Sequence, residues 1–392
     1  MVYCKKRLGE EGNKITCFCH ANMNDLFKKN IQETEAYIPP NSLDPDKRRL
    51  FLNENLLGCS PACLSILRTI TPEDLLQYAE GDSCLLKRAI SEKYGVDINK
   101  ILVHGGESEL LKQIFQAFLE DGDKVLTSRH SWGYYRVLAE LQGAKVVNYD
   151  LKEKKEVFEF DAQDIKEAIN KEKPKIIVLI SPNMPTGNSL KREDLEAILE
   201  AAKDSIVILD EAYFGFKDDE ADELDKDLEN FLGQHTNIII TRTFSKLFAL
   251  ASLRTGYAFC NETIHGYLQK TAPLFGINYL SQLIAREALK SEEYYEGIRR
   301  TIIQIRRNFS QALHGVTGFT VYKSDANFVL LRTGQEDSRK IQEYLASNGF
   351  LVRDCTKYSL PDFVRITLGT AEDMDQVAKL IESYHQTKAK TF

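Results

Sequence analysis

A chain of 392 residues, 43% of them apolar and 28% charged, can bury more than one core, so two globular domains are expected rather than a disordered chain. The formal charge of −7, with no compensating basic stripe, argues against a nucleic-acid surface, and no apolar run approaches the roughly 20 residues that cross a bilayer. Scattered cysteines without a repeated C-x-x-C, and early lysines followed by no long apolar stretch, suit a reducing cytoplasm and no signal peptide.

Residues 1–40 form a polar arm of weak periodicity, with a short helix expected around 24–31. Cys17-Phe-Cys19-His20 lacks the four ligands of a zinc site, so no metal is expected there. The cluster Asn53-Glu54-Asn55, followed by Gly58 and Ser60-Pro61, is a turn-rich loop that opens a helix at Pro61. Tyr78-Ala-Glu-Gly-Asp82 precedes an amphipathic helix over 83–94. Strands are then expected at 101–103, 124–127, 145–149, 175–180, 206–209, 237–241 and 256–259. Helices near 108–120, 132–142, 161–171 and 190–203 separate most of them. Several strands are unbroken apolar runs, as a mostly parallel sheet buried on both faces requires. The acidic run 217–229, broken by lysines, reads as a solvated loop and helix face. One or two long helices over 279–313 lead to a smaller α+β domain, with strands at 319–322, 327–332, 350–353 and 363–368 and helices at 337–348 and 371–384.

Ligands of such sheets gather beyond the carboxyl ends of the strands, and in the sheet domain each chemically pointed stretch follows a strand. His104-Gly-Gly106-Glu107-Ser108 leads into a helix whose free N–H groups suit a phosphate. Trp132, the only tryptophan, offers a flat face to a planar ring, with core packing as the alternative. Ser181-Pro-Asn183-Met-Pro-Thr-Gly187 holds an amide in a loop stiffened by prolines. Asp210 ends a buried strand, where a carboxylate needs either a ring nitrogen or a structural ion pair. Lys246 stands among the hydroxyls of Thr243 and Ser245, with Arg254 eight residues later. It is poorly placed as a solvated charge and well placed for a Schiff base, with hydroxyls and arginine gathered on a phosphate. Arg365 breaks an apolar strand, so it needs an anion: a substrate carboxylate held by two hydrogen bonds, or a structural acid. Arg353 is a second candidate, for a distal phosphate or carboxylate.

Thr243-Phe-Ser245-Lys246…Arg254 resembles the Ser-x-Ser-Lys…Arg signature of class I and II aminotransferases, which are fold-type I pyridoxal phosphate enzymes. Over residues 50–385 the chain is similar to histidinol-phosphate aminotransferases, through Asn53-Glu-Asn55, the 181–187 loop and the segments 325–331, 351–354 and 363–369. The resemblance implies an arm at 1–40, a segment at 41–75 packing with the small domain, a large domain at 76–300 with a mostly parallel seven-stranded sheet, and a small α+β domain at 301–392. It implies pyridoxal 5'-phosphate as cofactor and amino transfer between an amino acid and a 2-oxo acid. By the same resemblance, Lys246 carries the aldehyde and moves the Cα proton, Asp210 faces the ring nitrogen, and Tyr213 and the Asn183 amide reach the phenolic oxygen. Gly106, Glu107, Ser108, Thr243, Ser245 and Arg254 surround the phosphate, Trp132 stacks on the ring, and Asn183, Arg365, Arg353 and Asn55 touch substrate. Tyr78 is lent across a homodimer interface to the partner's cofactor.

Four positions depart from the family pattern. Leu56 replaces a proline, Trp132 a tyrosine and Met184 an asparagine, while Glu107 stands where a small residue is usual, so only its backbone N–H is expected to contribute. These departures leave a phosphothreonine-decarboxylase-like enzyme, a cyclase or an oxidase on the same fold as the second reading.

Overall fold

The computed structural model describes residues 23–39, 44–79, 81–218, 223–334 and 338–389, so Cys17-Phe-Cys19-His20 lies outside the described residues. The central sheet comprises Ile101–His104 (β1), Lys124–Ser128 (β2), Lys145–Tyr149 (β3), Ile176–Ile180 (β4), Ile206–Asp210 (β5), Ile238–Thr243 (β6) and Gly256–Cys260 (β7). Its spatial order is β1-β7-β6-β5-β4-β2-β3. Only β7 runs against its neighbours, pairing antiparallel with β1 and β6.

Every residue of β4, β6 and β7 is buried, which is why these runs show no polar alternation. Alternate residues still face opposite cores. Ile176, Val178, Ile208 and Ile239 pack with Leu110, Ile114 and Leu138 of the helices Glu107–Phe118 and Tyr134–Glu140. Ile177, Leu179, Val207 and Ile240 join the core on the other face, with Ile165 and Ile169 of the helix Ala162–Glu172. Asp161 caps that helix by accepting from Gln163 N and Asp164 N, each at 3.1 Å. The short hairpin Lys152–Lys154 with Val157–Glu159 has no counterpart in the expected elements.

The stretch 279–313 is two helices, Tyr279–Lys290 and Glu292–Leu313, broken at Ser291. The small domain orders Thr320–Val321, Phe328–Arg332, Phe363–Thr367 and Arg353–Asp354 in one antiparallel sheet. The N-terminal segment divides between the domains. Arg48–Arg49 pairs with Phe350–Leu351, and Leu50 is stitched to the small domain by Leu50 N to Leu351 O at 2.7 Å and Thr367 N to Leu50 O at 3.0 Å. The helix Pro61–Ile66, capped by Ser60, packs instead against Tyr279–Lys290. No helix among the described residues is long and apolar enough to cross a membrane.

Candidate active site

Beyond the carboxyl ends of β1, β2, β5 and β6 lies a cavity of about 530 Å³, closed on its far side by the small domain and by Tyr37 and Pro39 of the arm. Lys246, Asp210, Tyr213, Trp132, Glu107, Ser108, Thr243, Ser245, Arg254, Arg353 and Arg365 all line it. These side chains come from both domains.

At one end, β1 runs into Gly105-Gly106 and the helix Glu107–Phe118. Gly106 has φ of +99°, and a Cβ there would stand 2.7 Å from Arg254 Nη2. Gly256, the first residue of β7, leaves room for the same turn, since a Cβ would collide with the Glu107 backbone nitrogen. Arg254 Nη2 donates to Ser108 Oγ at 3.3 Å, and Ser245 N donates to Thr243 Oγ1 at 3.1 Å. Cation, hydroxyls and the helix N-terminus therefore converge on one small volume, as a phosphate group requires.

In the middle, Lys246 Nζ donates to Leu52 O at 2.8 Å and lies 5.8 Å from the Tyr213 ring centroid. Burial lowers its pKa to about 8, and the Arg365 guanidinium pushes the same way, so the amine loses its proton far more readily than a surface lysine. Asp210 Oδ2 accepts from the Tyr135 hydroxyl, and its Oδ1 accepts from Ala212 N at 2.9 Å. Burial raises the pKa of Asp210 and these hydrogen bonds oppose the rise. Among the described residues Asp210 makes no salt bridge with a basic side chain. The Tyr213 hydroxyl receives Asn53 Nδ2 at 2.8 Å, and burial pushes its own pKa up.

At the other end, Arg353 and Arg365 are direct cross-strand partners, so their guanidinium groups share one face of the small sheet. Arg365 is buried, donates from Nη2 to Phe51 O, and leaves Nε without a partner. Arg353 Nε is likewise buried and unpartnered, with its guanidinium 5.8 Å from the Tyr358 ring centroid. Neither arginine has an acidic partner among the described residues, so the structural ion pair that was the alternative for Arg365 is not formed there.

The structure places the remaining expected residues as follows. Asn55 does not reach the cavity: its Nδ2 donates to Leu247 O at 2.8 Å and its Oδ1 accepts from Leu57 N at 3.1 Å. Asn53 and Glu54 face the cavity in its place. The Asn183 amide nitrogen is committed to His130 O at 2.9 Å and Thr186 Oγ1 at 2.6 Å, and the atom left without a partner is Oδ1, not a donor. The Glu107 side chain is buried at the cavity floor beside Asp210, so this residue brings a carboxyl as well as a backbone N–H. Trp132 lines the cavity, held by its Nε1 donating to the Tyr37 hydroxyl at 3.0 Å. Tyr78 lies outside, 83% exposed and stacked on Phe275 at 4.5 Å.

Tyr37, Tyr135 and Tyr358 also line the cavity and are not among the expected residues. Tyr135 stands three residues after Trp132, whereas Tyr37, in an arm without periodicity, carries no sequence signal.

A phosphate cradle, a buried lysine of lowered pKa and a buried carboxylate along one cavity fit pyridoxal 5'-phosphate. The family model described as "Aminotransferase class I and II" matches residues 50–381. The histidinol-phosphate aminotransferase 2 of Archaeoglobus fulgidus is 37% identical over 306 residues, 78% of this chain and 84% of that one. The histidinol-phosphate aminotransferase of Methanocaldococcus jannaschii is 32% identical over 366 residues, 90% of this chain and 95% of that one. In fold, the crystal structure of histidinol-phosphate aminotransferase from Sinorhizobium meliloti in complex with pyridoxal-5'-phosphate superposes with a TM-score of 0.82, covering 92% of this chain and 98% of that one at 24% identity. The chain therefore belongs to the class I and II aminotransferases, enzymes that work through pyridoxal 5'-phosphate.

Proposed function

We propose that this chain moves an amino group between a phosphorylated amine or amino acid, of the histidinol phosphate kind, and a 2-oxo acid. The observation that carries the substrate class is the Arg353–Arg365 pair: two cations on one face, both lining the cavity and without acidic partners among the described residues, suit a doubly charged anion better than a single carboxylate. Relatives covering most of the chain are named histidinol-phosphate aminotransferases, which supports the same reading.

Bound here, the cofactor supplies an aldehyde that takes the amino group and a ring that draws electrons from the substrate Cα. Arg254, Ser108, Ser245 and Thr243 would hold its phosphate, and Asp210 would keep its ring nitrogen protonated. Lys246 Nζ would take up and release the Cα proton, a task suited to an amine that is partly neutral near pH 8. Tyr213 orients the phenolic edge. Trp132, Tyr37 and Tyr134 wall off water on the arm side. A spectral screen of phosphorylated amines, aromatic amino acids and dicarboxylic amino acids, with carbon dioxide trapped in parallel, tests the reading. The phosphorylated amines are expected to convert the bound cofactor to its amine form. Release of carbon dioxide without that conversion would replace amino transfer by decarboxylation.

The exposed Tyr78 fits a homodimer in which it serves the other subunit. Leu75, Leu76 and Leu274 are 65%, 81% and 88% exposed, apolar surface of the kind a partner covers. Mixing Tyr78→Phe with Lys246→Ala subunits is expected to restore part of the activity lost by each, because one site of each mixed dimer is then intact. No restoration would count against shared sites. The free cysteines among the described residues fit a cytoplasmic enzyme.

A further inference from the structure

Two carboxyl groups meet at the cavity floor. Glu107, the first residue of its helix, and Asp210, the last of β5, are both buried, and their side chains are in hydrogen-bond contact. Two ionised carboxylates cannot make such a contact, since neither is a donor, so a proton lies between them. The surroundings decide which group carries it. Asp210 accepts from the Tyr135 hydroxyl and from Ala212 N, both of which favour its charged form. Glu107 has less support: the Thr241 side chain favours its charged form, but its Oε1 is buried without a partner. Burial, with the Asp210 charge adding, holds Glu107 protonated well above the usual carboxylate range. The titratable groups facing the pair are Tyr135 from its helix, Tyr213 beyond β5 and Lys246 beyond β6.

We propose that Glu107 is a positioning residue for Asp210: its carboxyl donates a hydrogen bond to the Asp210 carboxylate and so sets how tightly Asp210 holds the proton on the cofactor's ring nitrogen. The proposal rests on the cofactor reading above and adds a residue to it. The O–H stays on Glu107 and no bond is broken. The donated hydrogen bond disperses the Asp210 charge and makes it a weaker base toward the ring. A small residue at 107 would leave Asp210 the stronger base.

The test uses the full chain, wild type and the variants Glu107→Gln and Glu107→Ala, with and without pyridoxal phosphate. An acid whose folded pKa lies above its unfolded value costs nothing below the unfolded pKa and costs progressively more as pH rises toward the folded one. Glutamine removes that cost while keeping the shape. The cofactor-free Glu107→Gln chain is therefore expected to melt with wild type near pH 5 and increasingly above it as the pH rises. A melting difference that does not change with pH overturns the shared proton.

In the loaded chain, Glu107→Ala is expected to move the pH midpoint of the bound cofactor's absorbance change upward by about one unit. Glu107→Gln, whose amide still donates, is expected to stay close to wild type. An unmoved midpoint in the alanine variant overturns the action on the ring nitrogen. A wild-type chain that takes up no pyridoxal phosphate overturns the cofactor reading and this half of the proposal together, and the melting curves still decide the proton between Glu107 and Asp210.

Discussion

Lys246→Ala is expected to abolish the borohydride-trappable attachment of pyridoxal phosphate and to lower turnover by at least about 10²–10⁴-fold, since in the proposed function one side chain supplies both the covalent anchor and the proton carrier. The site gives the reason. Lys246 is buried, and among the described residues its Nζ has only the Leu52 carbonyl as hydrogen-bond acceptor, with Arg365 and Arg254 both disfavouring its charge. The same features predict stability. A lysine whose folded pKa is lowered to about 8 from 10.5 binds fewer protons folded than unfolded between those values. Stability of the cofactor-free chain therefore rises with pH across that window, and below it the whole cost of the buried charge is present. Lys246→Met, which keeps the volume and removes the charge, is expected to stabilise the cofactor-free protein near pH 7 by on the order of 3 kcal/mol. Thermal melts of both forms across pH check this, and an undiminished adduct in Lys246→Ala would put the aldehyde on another lysine.

The large sheet and much of its site were legible because they depend on local chemistry. An unbroken apolar run such as Ile176–Ile180 has one stable fate, a strand covered on both faces, and a charged or glycine-rich stretch just past it marks the ligand end. Lys246, Asp210 and Gly106 were visible in that way. What stayed hidden depends on direction and register. Asn53 and Asn55 are equivalent in sequence, but Asn53 adopts φ of +56° and sends its amide to Tyr213, while Asn55 folds back onto backbone groups. Glu107 opens a helix, and nothing in the sequence tells whether its carboxyl points to solvent or to Asp210. Tyr37 reaches the cavity from an arm that is tied to the C-terminal end of the helix Tyr134–Glu140, where the Asn30 side chain donates to Leu141 O. That contact spans more than a hundred residues and carries no local signature.

Register also decides the meaning of the two arginines. Arg353 and Arg365 are twelve residues apart in sequence, and only the antiparallel pairing sets them side by side. Like charges directly opposite on neighbouring strands destabilise a sheet by about 0.2–1 kcal/mol, so this pair is a cost in the empty protein that a bound anion removes. Arg353→Gln is accordingly expected to raise the melting temperature of the substrate-free protein slightly while weakening substrate. Arg365→Ala is expected to raise KM by roughly 30- to 4,000-fold, corresponding to about 2–5 kcal/mol for a buried charge-assisted contact. Pyridoxal phosphate affinity should change far less, because the phosphate cradle around Arg254 and Ser108 is built separately. Titrating cofactor and substrate against each variant separates the cases. Equal loss of both affinities in Arg365→Ala would make that residue a support for Phe51, whose carbonyl it also holds. A substrate lacking the distal anion gives the sharper comparison: it should lose the benefit of Arg353 and be nearly indifferent to Arg353→Gln, whereas a phosphorylated one should not.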